Sequence, residues 1–231
     1  MSKKFADNIA KVCTAHLPVF NTKLNVQPAM VPPMDIEVDL SKWEIPSNQG
    51  PPRNQTPLKE KAVEKAINEM SQFNIISPAE KAVYYSHPHL VKKPPPSVDW
   101  RFTIDFRGLN LASKGSGWPI PNIPHMLQRL GEKKPKFLGK LDFTSGYHQA
   151  PLAVESRIFT AFMTFMGVFM WNRVPMGIKR AGGWFQGTLA TVVLVSVMYL
   201  MCDLYIDDLI IHAQTEEEFC KRLDTVLTKL Q

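Results

Sequence analysis

The sequence predicts an α+β fold, and three stretches carry that expectation. Phe137-Leu138-Gly139-Lys140-Leu141-Asp142 is a short apolar run ending in an acid, the pattern of a buried strand. Tyr205-Ile206-Asp207-Asp208 lies between the apolar runs Met198-Tyr199-Leu200-Met201 and Leu209-Ile210-Ile211, and so reads as a hairpin with two carboxylates at its turn. Thr215-Glu216-Glu217-Glu218 has capping-box spacing and opens a helix that runs to the end of the chain. From residue 137 the order is strand, helix, strand, strand, helix, which matches a split βαββαβ unit lacking its last strand.

The elements follow in order. Residues 1–55 carry Pro18, Pro28, Pro32, Pro33, Pro46, Pro51 and Pro52 and are expected to form an irregular, extended arm. Inside it, Asp35 to Leu40 alternates polar and apolar residues and is expected to be one half-exposed strand. Thr56 and Pro57 suit the cap and first position of a helix with Leu58, Ala62, Ala66, Ile67 and Met70 at helical spacing and Asn74 as a left-handed stop. Strand-like runs follow at 82–85, 89–93 and 100–106, the last two joined by Pro94-Pro95-Pro96-Ser97. Pro119, Pro121 and Pro124 lead into a short helix ending near Leu130. Two β-like runs lie between Arg157 and Arg173, and a helix is expected over 183–196. The last helix places Phe219, Leu223, Val226, Leu227 and Leu230 on one stripe.

Composition excludes several classes. The chain has 231 residues, 45% hydrophobic and 21% charged, which is ordinary globular chemistry. Its formal net charge of +6 favours a polyanionic partner. Cys13, Cys202 and Cys220 are odd in number and form no CxxC pair, so neither a zinc site nor a disulfide framework is expected. Thr188 to Met201 is uncharged, but Asp203, Asp207 and Asp208 interrupt the run before about 20 residues, too short for a membrane span. The start, Met1-Ser2-Lys3-Lys4, has no apolar stretch behind it of the kind a signal peptide needs. An intracellular setting without a membrane partner is expected.

The chemistry concentrates in the acids. Two adjacent buried carboxylates cost several kcal/mol unless a cation or protons offset them. With a third acid on another strand, Asp207 and Asp208 would form a platform for divalent metal; read alone, each piece is equally an ordinary strand end or turn. His148 and His212 have no ligand spacing to another His or Cys and read as structural. Lys133, Lys134, Lys136, Lys179 and Arg180 could track phosphates; for the first three, a solvated charge run is the simpler reading.

Five blocks occur in fixed order: Trp100 to Asn110 (WRFTIDFRGLN), Leu141 to Gln149 (LDFTSGYHQ), Val174 to Lys179 (VPMGIK), Phe185-Gln186, and Tyr205-Ile206-Asp207-Asp208. Together they resemble the reverse transcriptase domain of retroviral-type elements, nearest to the Ty3/gypsy class of LTR retrotransposons, over roughly residues 51–231. The resemblance implies the fingers and palm of a right-hand polymerase. Fingers are expected at 56–114 and 150–180, and an incomplete palm at 115–149 and 181–231, with 1–55 as a proline-rich extension. It implies RNA-directed DNA synthesis with two Mg²⁺, for which Mn²⁺ substitutes, held by Asp142, Asp207, Asp208 and the Phe143 backbone carbonyl.

The same resemblance assigns nucleotide binding to Arg101 over the α-phosphate, to Lys92 or Lys93 at the γ-phosphate, and to Phe143, Thr144, Ser145 and Gly146 through backbone N–H groups. It makes Tyr147 the residue that excludes a ribose 2′-hydroxyl. Arg107, Asn110, Met176, Gln186 and Tyr205 are implied to touch template or primer, with Asp105 bracing the same block. The implied partners are an RNA template, a DNA primer and template, and deoxynucleoside triphosphates. The setting is the cytoplasmic particle of a retroelement, and a thumb and RNase H part are expected in a longer polyprotein. One departure stands out: Arg180-Ala181-Gly182-Gly183-Trp184 occupies the place where the family carries a proline before the Phe-Gln pair. The alternative function is a catalytically weak or inactive nucleic-acid-binding remnant of such an element.

Overall fold

A computed structural model describes residues 2–21, 23–115 and 117–231. In chain order its elements are α1 (Lys3–Ala15), α2 (Leu40–Trp43), α3 (Pro57–Gln72), β1 (Ile76–Pro78), β2 (Pro88–Lys92), β3 (Trp100–Ile104), α4 (Arg107–Ala112), α5 (Ile123–Glu132), β4 (Phe137–Asp142), α6 (Gly146–Gln149), α7 (Val154–Arg157), β5 (Phe162–Thr164), β6 (Gly167–Trp171), α8 (Ala181–Thr188), β7 (Cys202–Tyr205), β8 (Asp208–Ala213) and α9 (Glu216–Leu230). They divide into two compact units. One comprises Met1–Lys23, Trp118–Gly146 and Gly182–Gln231; the other comprises Leu24–Gly117 and Tyr147–Ala181.

The first unit is built on an antiparallel sheet in the order β4-β8-β7. The strand that comes last in sequence therefore lies in the middle, as the expected split unit requires. Cross-strand partners share a face. Gly139, opposite Ile211, and Leu141, opposite Leu209, belong to the covered face. There Leu209 and Ile211 are fully buried, and α9 supplies Phe219, Leu223, Val226 and Leu227. The Thr215 cap at the start of α9 forms as expected, accepting from the Glu218 amide, while the Glu218 carboxylate reaches one residue further back than in a capping box and accepts from the Gln214 amide at 2.7 Å.

Helix α1 corrects the expectation of an irregular start. Ser2 caps it by accepting from the Phe5 amide, and Phe5 packs edge-on against Phe137 at 5.1 Å and Phe219 at 5.8 Å. The helix expected over 183–196 is also corrected. α8 ends at Thr188, a wider π turn covers Leu189–Val193, and β7 starts at Cys202 rather than at Met198. The β-branched run Thr191-Val192-Val193 lowers helix propensity where the α-helix gives way. Among the described residues no helix is long and apolar enough to cross a membrane.

The second unit holds a sheet in the order β1-β6-β5 and the hairpin β2-β3, whose connection carries the proline run. α3 begins at Pro57 and stops before Asn74, which has φ 52°. Ile67 is buried as expected and Val63 joins it, with Ala62, Ala66 and Met70 half-buried, while Leu58 in the first turn is exposed. Asp35 to Leu40 alternates as expected, burying Ile36 beside a buried Met34. Its backbone, however, makes isolated bridges, Met34 with Leu152 and Val38 with Ser113, and Ile36 N–H donates to Ser156 Oγ at 2.8 Å. Residues 82–85 are not a strand: the Tyr85 amide donates to Asn48 O and the Ala82 amide to Ala79 O, so no ladder partner is left to them. Arg173 is buried and donates to the carbonyls of His148, Asn25, Val26 and Phe73, which tie three segments to one guanidinium.

Candidate active site

The carboxylates gather at one end of the first unit's sheet. Asp142 ends β4 and Asp208 begins β8, and the two are direct cross-strand partners. Asp207 sits in the turn between β7 and β8, and its carbonyl accepts from the Phe143 amide at 3.1 Å. Tyr205, the last residue of β7, faces Asp208 across the hairpin. Side chains of direct partners share one face, so Asp142 and Asp208 project together. Lys140, two residues before Asp142 on that face, places Nζ 2.8 Å from Asp208 Oδ1. Its pKa is raised first by that hydrogen bond and the Asp208 charge, then by Asp142 and Asp207, so all three carboxylates act on one ammonium.

As a donor set these acids suit a hard divalent cation: oxygen ligands only, two of them in register across adjacent strands. The side chains themselves are not gathered around a common point, for among the described residues no three acids, imidazoles or thiols form a metal-holding group. The fit therefore lies in ligand chemistry and strand register.

The turn is held from beneath. Ile206 has φ 56°, the left-handed region, which a β-branched residue adopts only under constraint. Gln186 on α8 supplies it: Oε1 accepts from the Ile206 amide at 2.6 Å and Nε2 donates to Leu204 O at 3.2 Å. The residue is 1% exposed and both ends of its amide are engaged by the hairpin, so it braces the turn. Gly182 and Gly183 lie within α8 and do not prevent it from forming.

Further from the turn, on the same face of the sheet, lies a charge network that sequence spacing does not announce. Asp203 on β7 is fully buried, and Arg129 on α5 donates to its Oδ1 while lying 4.5 Å over the Tyr199 ring. His212 Nε2 stands 3.7 Å from Asp203 Oδ2 and 3.1 Å from Lys133 Nζ, and Arg222 Nη1 is 3.0 Å from Nδ1. Burial first, then Lys133 and Arg222, push the imidazole pKa down, so His212 is neutral near pH 7. The available signal was an acid inside an apolar strand, two residues before Tyr205.

The loop after Asp142 uses part of its backbone internally. The Phe143 amide donates to Asp207 O, and the Phe143 carbonyl accepts from the Gly146 amide at 3.2 Å. Those two N–H groups are engaged within the hairpin and the loop. Thr144 and Ser145 are exposed, and Ser145 has φ 49°. A Cβ at Gly146 would lie 2.9 Å from Phe185 Cζ, so glycine here serves close aromatic packing.

In the second unit, Lys92, Lys93 and Arg101 are exposed on the β2-β3 hairpin, with Lys92 opposite Trp100 at the end next to the connecting loop. Lys93 pairs with Asp99 at 3.7 Å. Arg107 grips Asp105 with two 2.8 Å hydrogen bonds, and Arg53 adds a third contact at 3.4 Å; these hold the Asp105 carboxyl well below the usual range. Asn110 donates to Gly177 O at 2.8 Å and accepts from the Lys179 amide at 2.7 Å, so its amide braces the Gly177–Lys179 loop. Met176 on that loop is exposed, and Tyr147 is half-buried in α6.

Residues 91–231 match the family model described as reverse transcriptase (RNA-dependent DNA polymerase). This chain belongs to that family. It is 39% identical over 127 residues to the retrovirus-related Pol polyprotein of transposon gypsy from Drosophila melanogaster, covering 55% of this chain and 12% of that protein. It is 34% identical over 172 residues to the Pol polyprotein of transposon opus from the same fly, covering 73% and 17%. Among solved structures, a foamy viral protease-reverse transcriptase in complex with RNA/DNA hybrid aligns over 100% of this chain and 30% of its own, with a TM-score of 0.79 at 19% identity. The fold is therefore that of a retroviral-type reverse transcriptase. The chain spans less than a fifth of the two fly polyproteins.

Proposed function

We propose that this chain carries the fingers, at 56–114 and 150–180, and much of the palm, at 115–149 and 181–231, of an RNA-directed DNA polymerase within a longer retroelement polyprotein. The observation that carries the reading is the in-register pairing of Asp142 with Asp208, next to Asp207 at the hairpin turn. Asp142, Asp207 and Asp208 would hold two Mg²⁺. Held there, they would supply Lewis-acid activation of a primer 3′-hydroxyl and charge neutralisation of the departing pyrophosphate. The foamy viral relative in complex with an RNA/DNA hybrid supports a hybrid duplex as the nucleic-acid partner.

The chain's own residues then have separate tasks. Arg101 gives a planar, two-pronged grip on phosphate, and Lys92 or Lys93 adds a point charge. Tyr147 closes the space a 2′-hydroxyl would need, which selects deoxynucleotides. Gln186 keeps the Ile206 backbone in its unusual conformation and so fixes where Asp207 and Asp208 point. The polyprotein acts inside an intracellular element particle.

The test is primer extension with Mg²⁺ on an RNA template, using the longer parent protein beside its Asp207→Asn variant. The parent is expected to make DNA and the variant to lose orders of magnitude in rate while keeping its circular dichroism spectrum. Near-normal synthesis by Asp207→Asn would refute the assignment. The 231-residue chain alone is expected to make only short products.

A further inference from the structure

Lys140 is a residue of β4 to which the blocks give no role. It lies two positions before Asp142, on the same exposed face of the strand. Its direct cross-strand partner is Ile210, so no acid stands opposite it. The diagonal neighbour is Asp208, and a lysine side chain spans that diagonal. The resulting Nζ–Oδ1 contact is 2.8 Å, with the lysine side chain 60% and the aspartate side chain 37% exposed. No other ion pair reaches Asp142, Asp207 or Asp208 among the described residues.

We infer that Lys140 is the built-in counter-cation of the carboxylate cluster, a positioning residue that divalent metal must displace from Asp208 on binding. This rests on the proposed reading of the three acids as metal ligands. Two cations compete for one carboxylate. Three neighbouring acids repel one another, and an ammonium at 2.8 Å relieves part of that repulsion. An exposed lysine–carboxylate pair is weak and exchangeable, so it steadies Asp208 without blocking the cluster. A dication able to engage two or three carboxylates wins the competition, but it must first release Asp208 from Lys140. The lysine thereby raises the metal concentration at which the cluster fills, and it opposes occupation of Asp208 by weakly held ions.

The test is direct Mn²⁺ binding to the full chain, read as loss of the free Mn²⁺ electron paramagnetic resonance signal, without nucleotide or nucleic acid. Lys140→Met keeps the stem and removes the charge; it is expected to bind Mn²⁺ about two- to fivefold more tightly than the wild type, the range an exposed ion pair spans. Lys140→Arg keeps a cation and is expected to bind as the wild type does. Equal or weaker binding by Lys140→Met would overturn the inference. The combined variant Asp142→Asn, Asp207→Asn, Asp208→Asn separates the two claims. If it binds Mn²⁺ like the wild type, the acids are not the metal site and both readings fail. If it loses binding while Lys140→Met matches the wild type, only the role of Lys140 fails.

Discussion

Gln186 Oε1 accepts the Ile206 amide at 2.6 Å, so a buried carboxamide on one helix fixes the backbone of the residue that precedes the paired aspartates. A left-handed β-branched residue costs about 1–3 kcal/mol, and it persists here because the turn is clamped. Replacing Gln186 with Leu leaves the Ile206 amide and the Leu204 carbonyl without partners, a cost of about 1–3 kcal/mol. The expected result is a lower urea midpoint and faster hydrogen exchange at Ile206. Unchanged exchange at that amide would show that the clamp lies elsewhere.

The Arg129–Asp203 pair makes a different prediction. Asp203 is fully buried while the Arg129 side chain is 39% exposed. Arg129→Met strands a buried carboxylate, and about 3 kcal/mol of stability is expected to be lost. Adding Asp203→Leu removes the stranded charge and is expected to restore most of it. A double variant no more stable than Arg129→Met would contradict this account of the network.

Gly139 meets α9 closely. A Cβ there would stand 2.6 Å from Phe219 Cζ, a separation that forces the ring or the strand to move. Gly139→Ala is expected to cost about 1–3 kcal/mol through overpacking. Combining it with Phe219→Leu is expected to recover part of the loss in a denaturant titration.

His148 gives the second unit a pH dependence. Its ring stacks on Trp171, and burial, with Arg173 nearby, pushes its pKa down to about 4. Unfolded histidine titrates near 6.5, so between that pH and about 4 the unfolded chain binds more protons. Stability is full above pH 6.5 and declines as pH falls toward 4, by at most about 3 kcal/mol. His148→Phe is expected to flatten that slope; an equally steep loss in this variant would assign the titration to another group.

Local signals made much of the site legible. Phe137 to Asp142 is a strand with the expected bounds, because an apolar run ending in a polar residue needs no distant information. Thr215 and Glu218 likewise declare the start of α9 within four residues. Other features depend on partners that sequence spacing does not name. The alternation at 35–40 has no adjacent strand to pair with, and residues 82–85 spend their amides on a loop. Gln186 and Asn110 look like solvent-facing amides until their backbone acceptors and donors are seen. The cap Ser2 and the spacing of Phe5, Ile9 and Val12 did announce α1, but the prolines from residue 18 onward set the expectation for the whole segment.

Phe5 has a wider consequence. The family model matches from residue 91 onward, whereas this ring, far upstream, rests on Phe137 and Phe219. Trimming residues 2–21 would spare every acid of the candidate site and still uncover the aromatic floor beneath the strand that ends in Asp142.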